Sequence, residues 1–199
     1  MTSAAPERLA SEEQAWSLPS RGKVGMLALI VAESAVFTIF VVAYVFYLGK
    51  SESGPTPDSI LRVPVLDTVC LLSSSVTIHM AVRALGRGSS RGFLLWWGAT
   101  LALGLKFIEG TAVDWYRMIF HEGFTIRTNL FGTSYYSLVG LHASHVIIGL
   151  VGLLTVFLLG LAGKVKPAHA ERCDVFSLYW HFVDAVWVVV FTLVYLIGR

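Results

Sequence analysis

The chain has 199 residues, of which 55% are hydrophobic, 13% aromatic and only 14% charged, where a soluble domain carries about 25% charged residues. That is a membrane composition, and a net charge of +2, with the basic residues scattered through short loops, excludes a nucleic-acid-binding patch. Cys70 and Cys173 have no CxxC spacing and lie in or beside apolar segments, so neither a disulfide framework nor a zinc site is indicated.

In chain order, residues 1–21 are polar, contain Pro6 and Pro19 and lack the apolar core and cleavage site of a signal peptide, which predicts a short tail. About 20 mostly apolar residues cross the hydrocarbon core as a helix. Five segments meet that length: 22–48, 63–85, 93–113, 131–161 and 173–197. The expected fold is all-α, an integral membrane bundle of five transmembrane helices filling residues 22–199. The connections GKSESGPTPDSILR, GRGSSR and AGKVKPAHAER have the Gly, Ser, Pro and charge of turns. The connection DWYRMIFHEGFTIRTN is more apolar and is expected to lie along the membrane interface. Five spans do not divide into equal halves, which weakens an inverted-repeat transporter reading.

Lys and Arg counts on alternate sides give the orientation. Arg8, Arg21, Lys23, Arg83, Arg87, Arg91, Lys164, Lys166 and Arg172 make nine on one side. Lys50, Arg62, Arg117, Arg127 and Arg199 make five on the other. The amino terminus is therefore expected inside and the carboxy terminus outside.

Ionisable groups inside spans cost about 2.5–3.5 kcal/mol each at the centre of a helix and mark sites or pairs. At about 1.5 Å per residue, Glu33, His181 and Asp184 fall near the middle of the membrane, and Lys106, Glu109, His142 and His145 above them. Lys106 and Glu109 are i, i+3 neighbours and read as an internal ion pair. His142 and His145 read as hydrogen-bonding residues between helices. His181 and Asp184, one turn apart, read as a pair that locks helices, with a functional role as the equal alternative. Glu33 has no partner within one turn of its own helix, and such a carboxylate is a functional-site candidate. If the first and last spans pack together, Glu33 can meet Asp184 and His181.

Trp96 and Trp97 near the inner end of the third span, and Trp115 near its outer end, fit interfacial anchors. Trp180 and Trp187, seven apart, read as a helix–helix seam, and Ser73, Ser74, Ser75 and Thr77 as close-packing residues. No HExxH, nucleophile elbow, phosphate-binding Gly loop or Cys-rich cluster occurs. No catalytic or metal-binding residue is therefore assigned.

Four stretches resemble subunit III of the haem-copper terminal oxidases, the cytochrome c oxidase subunit 3 family. Trp180-His181-Phe182-Val183-Asp184-Ala185-Val186-Trp187 resembles its WHFxDxVW signature. Gly140-Leu141-His142-Ala143-Ser144-His145-Val146-Ile147-Ile148-Gly149 is similar to its GxHxxHVxxG segment. Ala32-Glu33-Ser34 with Phe37 and Phe40 is similar to its carboxylate motif, and Pro64-Val65-Leu66-Asp67-Thr68 with Leu71-Leu72-Ser73-Ser74 to its PLLNT-x-x-LL-x-SS run. Thr111 stands where the family usually has Gln, and Asp67 where it has Asn. The chain resembles the short bacterial form that lacks the first two of seven spans.

The resemblance implies a non-catalytic subunit of a proton-pumping respiratory oxidase that reduces oxygen to water. Haem and copper would lie in partner subunits, with no cofactor bound by this chain apart from structural phospholipids. The implied partners are the core subunit I, subunit II and small subunits, with cytochrome c or quinol delivering electrons through them. The implied location is the bacterial cytoplasmic membrane, and the implied role is support of the core subunit and of proton supply. Quinol oxidase and nitric-oxide-reductase-associated relatives are the near alternatives. In seven-span relatives the first two helices help form a lipid-holding cleft, so another subunit is expected to supply that wall here, or else the face is open to lipid. Two further alternatives come from the residues: a membrane haem protein using His142, His145 and His181 as ligands, and a small proton channel built on Glu33 and Asp184.

Overall fold

The computed structural model describes residues 20–51 and 54–198. The elements are α1 (Arg21–Tyr47), a short α2 (Pro57–Ile60), α3 (Val65–Gly86), α4 (Ser90–Phe120), α5 (Leu130–Leu161), a 3₁₀ turn (Pro167–His169) and α6 (Ala170–Phe191), which runs on as a π-helical stretch (Thr192–Ile197). Five of these helices are long and apolar enough to cross a membrane. The described part of the chain is therefore an all-helical, multi-pass membrane fold. Most of the tail, residues 1–19, and Arg199 lie outside the described residues.

Local chemistry starts and stops the helices. Ser20, Ser89 and Asn129 cap α1, α4 and α5 by accepting the backbone N–H of Lys23, Gly92 and Gly132 at 3.4, 3.2 and 2.8 Å. The α3–α4 turn needs Gly88 in the left-handed region, φ 79°. There the Gly88 and Ser89 amides close onto the carbonyls of Leu85 and Ala84, each at 2.9 Å.

The helices α3, α4, α5 and α6 close a ring of neighbours, and α1 lies against α5 and α6. Large side chains fill the ring: Trp97, Phe107, Leu71, Ile78, Leu138, Trp180 and Trp187 are almost wholly buried. By contrast α1 buries only Phe37 and Tyr44 and is apolar all round, as a helix does when lipid or another chain covers its outer side.

One connection differs from the expected one. The segment from Asp114 continues α4 to Phe120 instead of lying flat. Arg117 holds it there, 3.6 Å from Asp114 one turn back and bonded to Glu122 beyond the helix end. The chain then turns so that Phe124 is buried under Phe131 and Tyr136, whose hydroxyl donates to the Phe124 carbonyl at 2.8 Å. Arg117 also donates to the Ile60 carbonyl of α2 at 3.4 Å, so this connection is a packed cap.

Candidate functional site

The first polar constellation joins α1 to α5. Glu33 Oε2 stands 3.1 Å from His145 Nε2, with both side chains mostly buried. The other ring nitrogen, Nδ1, lies 2.8 Å from the Leu141 carbonyl one turn back. A carbonyl only accepts, so Nδ1 carries its hydrogen. The Nε2–Oε2 contact then holds one proton, either as Glu33 O–H donating to Nε2 or as an imidazolium donating to a carboxylate. Both forms leave the pair neutral, with one hydrogen in the contact. Phe37 shields it, with its ring centroid 4.9 Å from that of His145. The Tyr179 hydroxyl donates to the His145 carbonyl at 3.1 Å and ties α6 to the same place.

The second constellation joins α3 to α6. Ser75 Oγ donates to Asp184 Oδ2 and lies 2.9 Å from His181 Nδ1. A hydroxyl has one hydrogen, and here Asp184 takes it, so His181 Nδ1–H is the donor to Ser75. The order is His181, Ser75, Asp184, with Asp184 almost wholly buried. On either side of this along α6, Trp180 Nε1 donates to Ser74 Oγ at 2.7 Å and Trp187 Nε1 to Thr68 Oγ1 at 3.1 Å. The tryptophan stripe is thus a seam against α3. Its closeness to α5 depends on Gly149, whose missing Cβ would stand 2.7 Å from the Trp180 ring.

The third cluster sits on the α3–α4 flank. Lys106 Nζ lies 3.3 Å from Glu109 Oε2 and 3.5 Å from Asp67 Oδ1. Asp67 lies directly over Gly110, where any Cβ would collide with its carboxylate.

Several expectations are corrected by this geometry. Glu33 meets His145, not Asp184, because α1 packs its carboxylate face towards α5. His181 and Asp184 are not a direct pair, since Ser75 stands between them. The Lys106–Glu109 pair is not internal: the two side chains are 41% and 65% exposed, and the third partner, Asp67, comes from another helix. His142 does not hydrogen-bond across helices. It is wholly buried with no bond from either ring nitrogen among the described residues. Instead it stacks on Trp187 at 5.0 Å and meets the edge of Phe107 at 5.8 Å. Trp97 is not an exposed interfacial anchor but fully buried, because its Nε1 donates to the Leu153 carbonyl at 2.9 Å. Trp115 likewise packs inward, 5.2 Å from the Tyr136 ring, while Trp96 is exposed.

The bridging role of Ser75 and the exposure of His79 are not legible in the sequence, where Ser75 reads as a close-packing residue. Their only local sign is that they stand one turn apart on the same helix, among several other polar residues. Among the described residues no group of three or more His, Cys, Asp or Glu is placed to hold a metal ion. The ring nitrogens a haem would need on His145 are both already engaged.

The family model described as cytochrome c oxidase subunit III matches residues 17–199. The chain is similar to the cytochrome c oxidase subunit 3 of Bacillus sp. (strain PS3), 34% identical over 198 residues, covering 98% of this chain and 92% of that one. It is 35% identical to the protein of that name from Synechocystis sp. (strain ATCC 27184 / PCC 6803 / Kazusa) over 187 residues, 90% of this chain and 77% of the other. The quinol oxidase subunit 3 of Bacillus subtilis (strain 168) is 31% identical over 177 residues, 88% of this chain and 86% of that one. Matched along nearly its whole length, with five helices able to span a membrane, the chain belongs to the cytochrome c oxidase subunit III family, the third subunit of haem-copper oxidases.

Proposed function

We propose that this chain is the non-catalytic third subunit of a proton-pumping oxidase in the bacterial cytoplasmic membrane, with haem and copper held by partner subunits. In this reading it supports the core subunit and the supply of protons to it, while electrons from cytochrome c or quinol pass through other subunits. The amino terminus lies inside and the carboxy terminus outside.

The observation that carries the reading is the Glu33–His145 pair. It is a neutral, proton-bearing unit between two membrane helices, and it needs neither a metal nor a redox centre to act. Beside it, Ser34, Phe37, Thr38 and Val41 of α1 face Phe182, Ala185, Val186 and Val189 of α6 across a groove of about 290 Å³. Its apolar walls suit one acyl chain of a phospholipid, which would shield the pair from water and keep α1 seated. Asp184, His181, Lys106, Glu109 and His142 serve structure in this reading, by bridging or packing helices.

Purification of the tagged chain in mild detergent tests the reading. Recovery of a haem-containing, oxygen-consuming complex is expected, and a Soret band at stoichiometric intensity from the isolated chain would overturn it.

A further inference from the structure

The flank where α3 meets α6 carries chemistry that the bundle does not use. His79 lies one turn from Ser75 on α3, is exposed, and makes no hydrogen bond or ion pair with the described residues. That Ser75 is the residue to which His181, half-buried on α6, is bonded through Nδ1 at 2.9 Å, so the two histidines flank one α3–α6 contact. Behind them Asp184 keeps one carboxylate oxygen, Oδ1, buried with no partner among the described residues. Around this polar centre the surface is apolar and open: Leu72 and Val76 on α3, Val188 on α6.

Depth decides what this means. His79 is seven residues from the inner end of α3 at Gly86, roughly 10 Å along the helix, and His181 is eleven from Ala170, roughly 16 Å. Arg83, one turn nearer the end, reaches headgroups with its long stem. An imidazole is too short for that. Facing hydrocarbon, His79 and His181 would leave their outward ring nitrogens without hydrogen-bond partners, at a cost that lipid tails do not offset. The exposed Lys106–Glu109 pair of α4 is different, because its charges neutralise each other and Asp67, in the first turn of α3, joins them.

We infer that this α3–α6 flank is the seat of a transmembrane helix from another oxidase subunit, which presents a carboxylate or amide side chain to His79 and His181. The apolar residues on either side pack against that helix, and the histidines fix its register and depth. The inference rests on the subunit III reading and names which face of the chain is covered.

The test uses the assembled complex in native membranes. A photo-crosslinking amino acid is placed at His79, at Val76, and at Val151 on the outward side of α5. Adducts from positions 79 and 76 to one membrane subunit of the complex, with none from 151, are expected. Lipid adducts alone from 79, adducts to a second copy of this chain, or equal adducts from all three positions would overturn the inference while leaving co-purification intact. Failure to recover any haem-containing complex would instead overturn the subunit reading. As a second measure, His79→Leu should lower retention of the chain during detergent titration by about threefold, the size of an average interhelical hydrogen bond. Unchanged or improved retention would mean that the face meets lipid.

Discussion

His145 Nε2 and Glu33 Oε2, 112 residues apart in sequence, stand 3.1 Å apart and share one proton between α5 and α1. Glu33→Gln replaces the ionisable carboxyl, yet the amide still donates to Nε2. An interhelical hydrogen bond is worth about 0.6 kcal/mol on average, so recovery of the complex and its initial oxygen-reduction rate should stay within about threefold of wild type. Sustained turnover under a proton gradient should decline. Time courses of oxygen uptake in proteoliposomes check this, and loss of the initial rate would remove Glu33 from a supporting role.

Ser75 is the bridge whose loss strands two partners at once. Ser75→Ala leaves His181 Nδ1–H and Asp184 Oδ2 without their shared hydroxyl, and a buried unsatisfied group costs about 1–3 kcal/mol. Thermal denaturation of the purified complex should release this subunit at lower temperature, whereas Ser75→Thr, which keeps the hydroxyl, should lose less. Equal melting of Ser75→Ala and wild type would show that the bridge contributes nothing.

Gly149→Ala places a methyl group 2.7 Å from the Trp180 ring. Trp180 is fully buried and tied to Ser74, so it has little room to yield. Overpacking of this kind costs about 1–3 kcal/mol. The indole should shift, which tryptophan fluorescence and the subunit's melting temperature will register together. Gly25→Ala, whose Cβ meets nothing within 4 Å, is the control.

Orientation is open to direct labelling. A cysteine replacing Gly163, in the turn after α5, should react with an impermeant maleimide only in inverted membrane vesicles, and one replacing Arg127 only in right-side-out cells. The reverse pattern would overturn the nine-to-five reading of the basic residues.

What the sequence determined by itself was what depends on neighbours along the chain. Apolar length is a local property, so five spans were legible, and so was the contact of Lys106 with Glu109, which helical spacing alone brings together. The signature around His181 and Asp184 and the paired histidines 142 and 145 were enough to mark the family. What only the tertiary structure decided is which faces meet. Rise per residue placed Glu33 and Asp184 at one depth, but depth says nothing of azimuth, and the packing of α1 turned Glu33 to His145. Ser75 came between His181 and Asp184, and Asp67 joined Lys106, through contacts between separate helices that no i, i+3 or i, i+4 rule contains. Trp97 and Trp115 sit at the depth of interfacial anchors but point into the bundle. The Leu153 carbonyl offers the Trp97 N–H a bond that lipid cannot, and the Tyr136 ring gives Trp115 a packing partner. The extension of α4 to Phe120 likewise depended on Arg117 reaching Glu122 and the Ile60 carbonyl, a choice made by the folded cap rather than by local propensity.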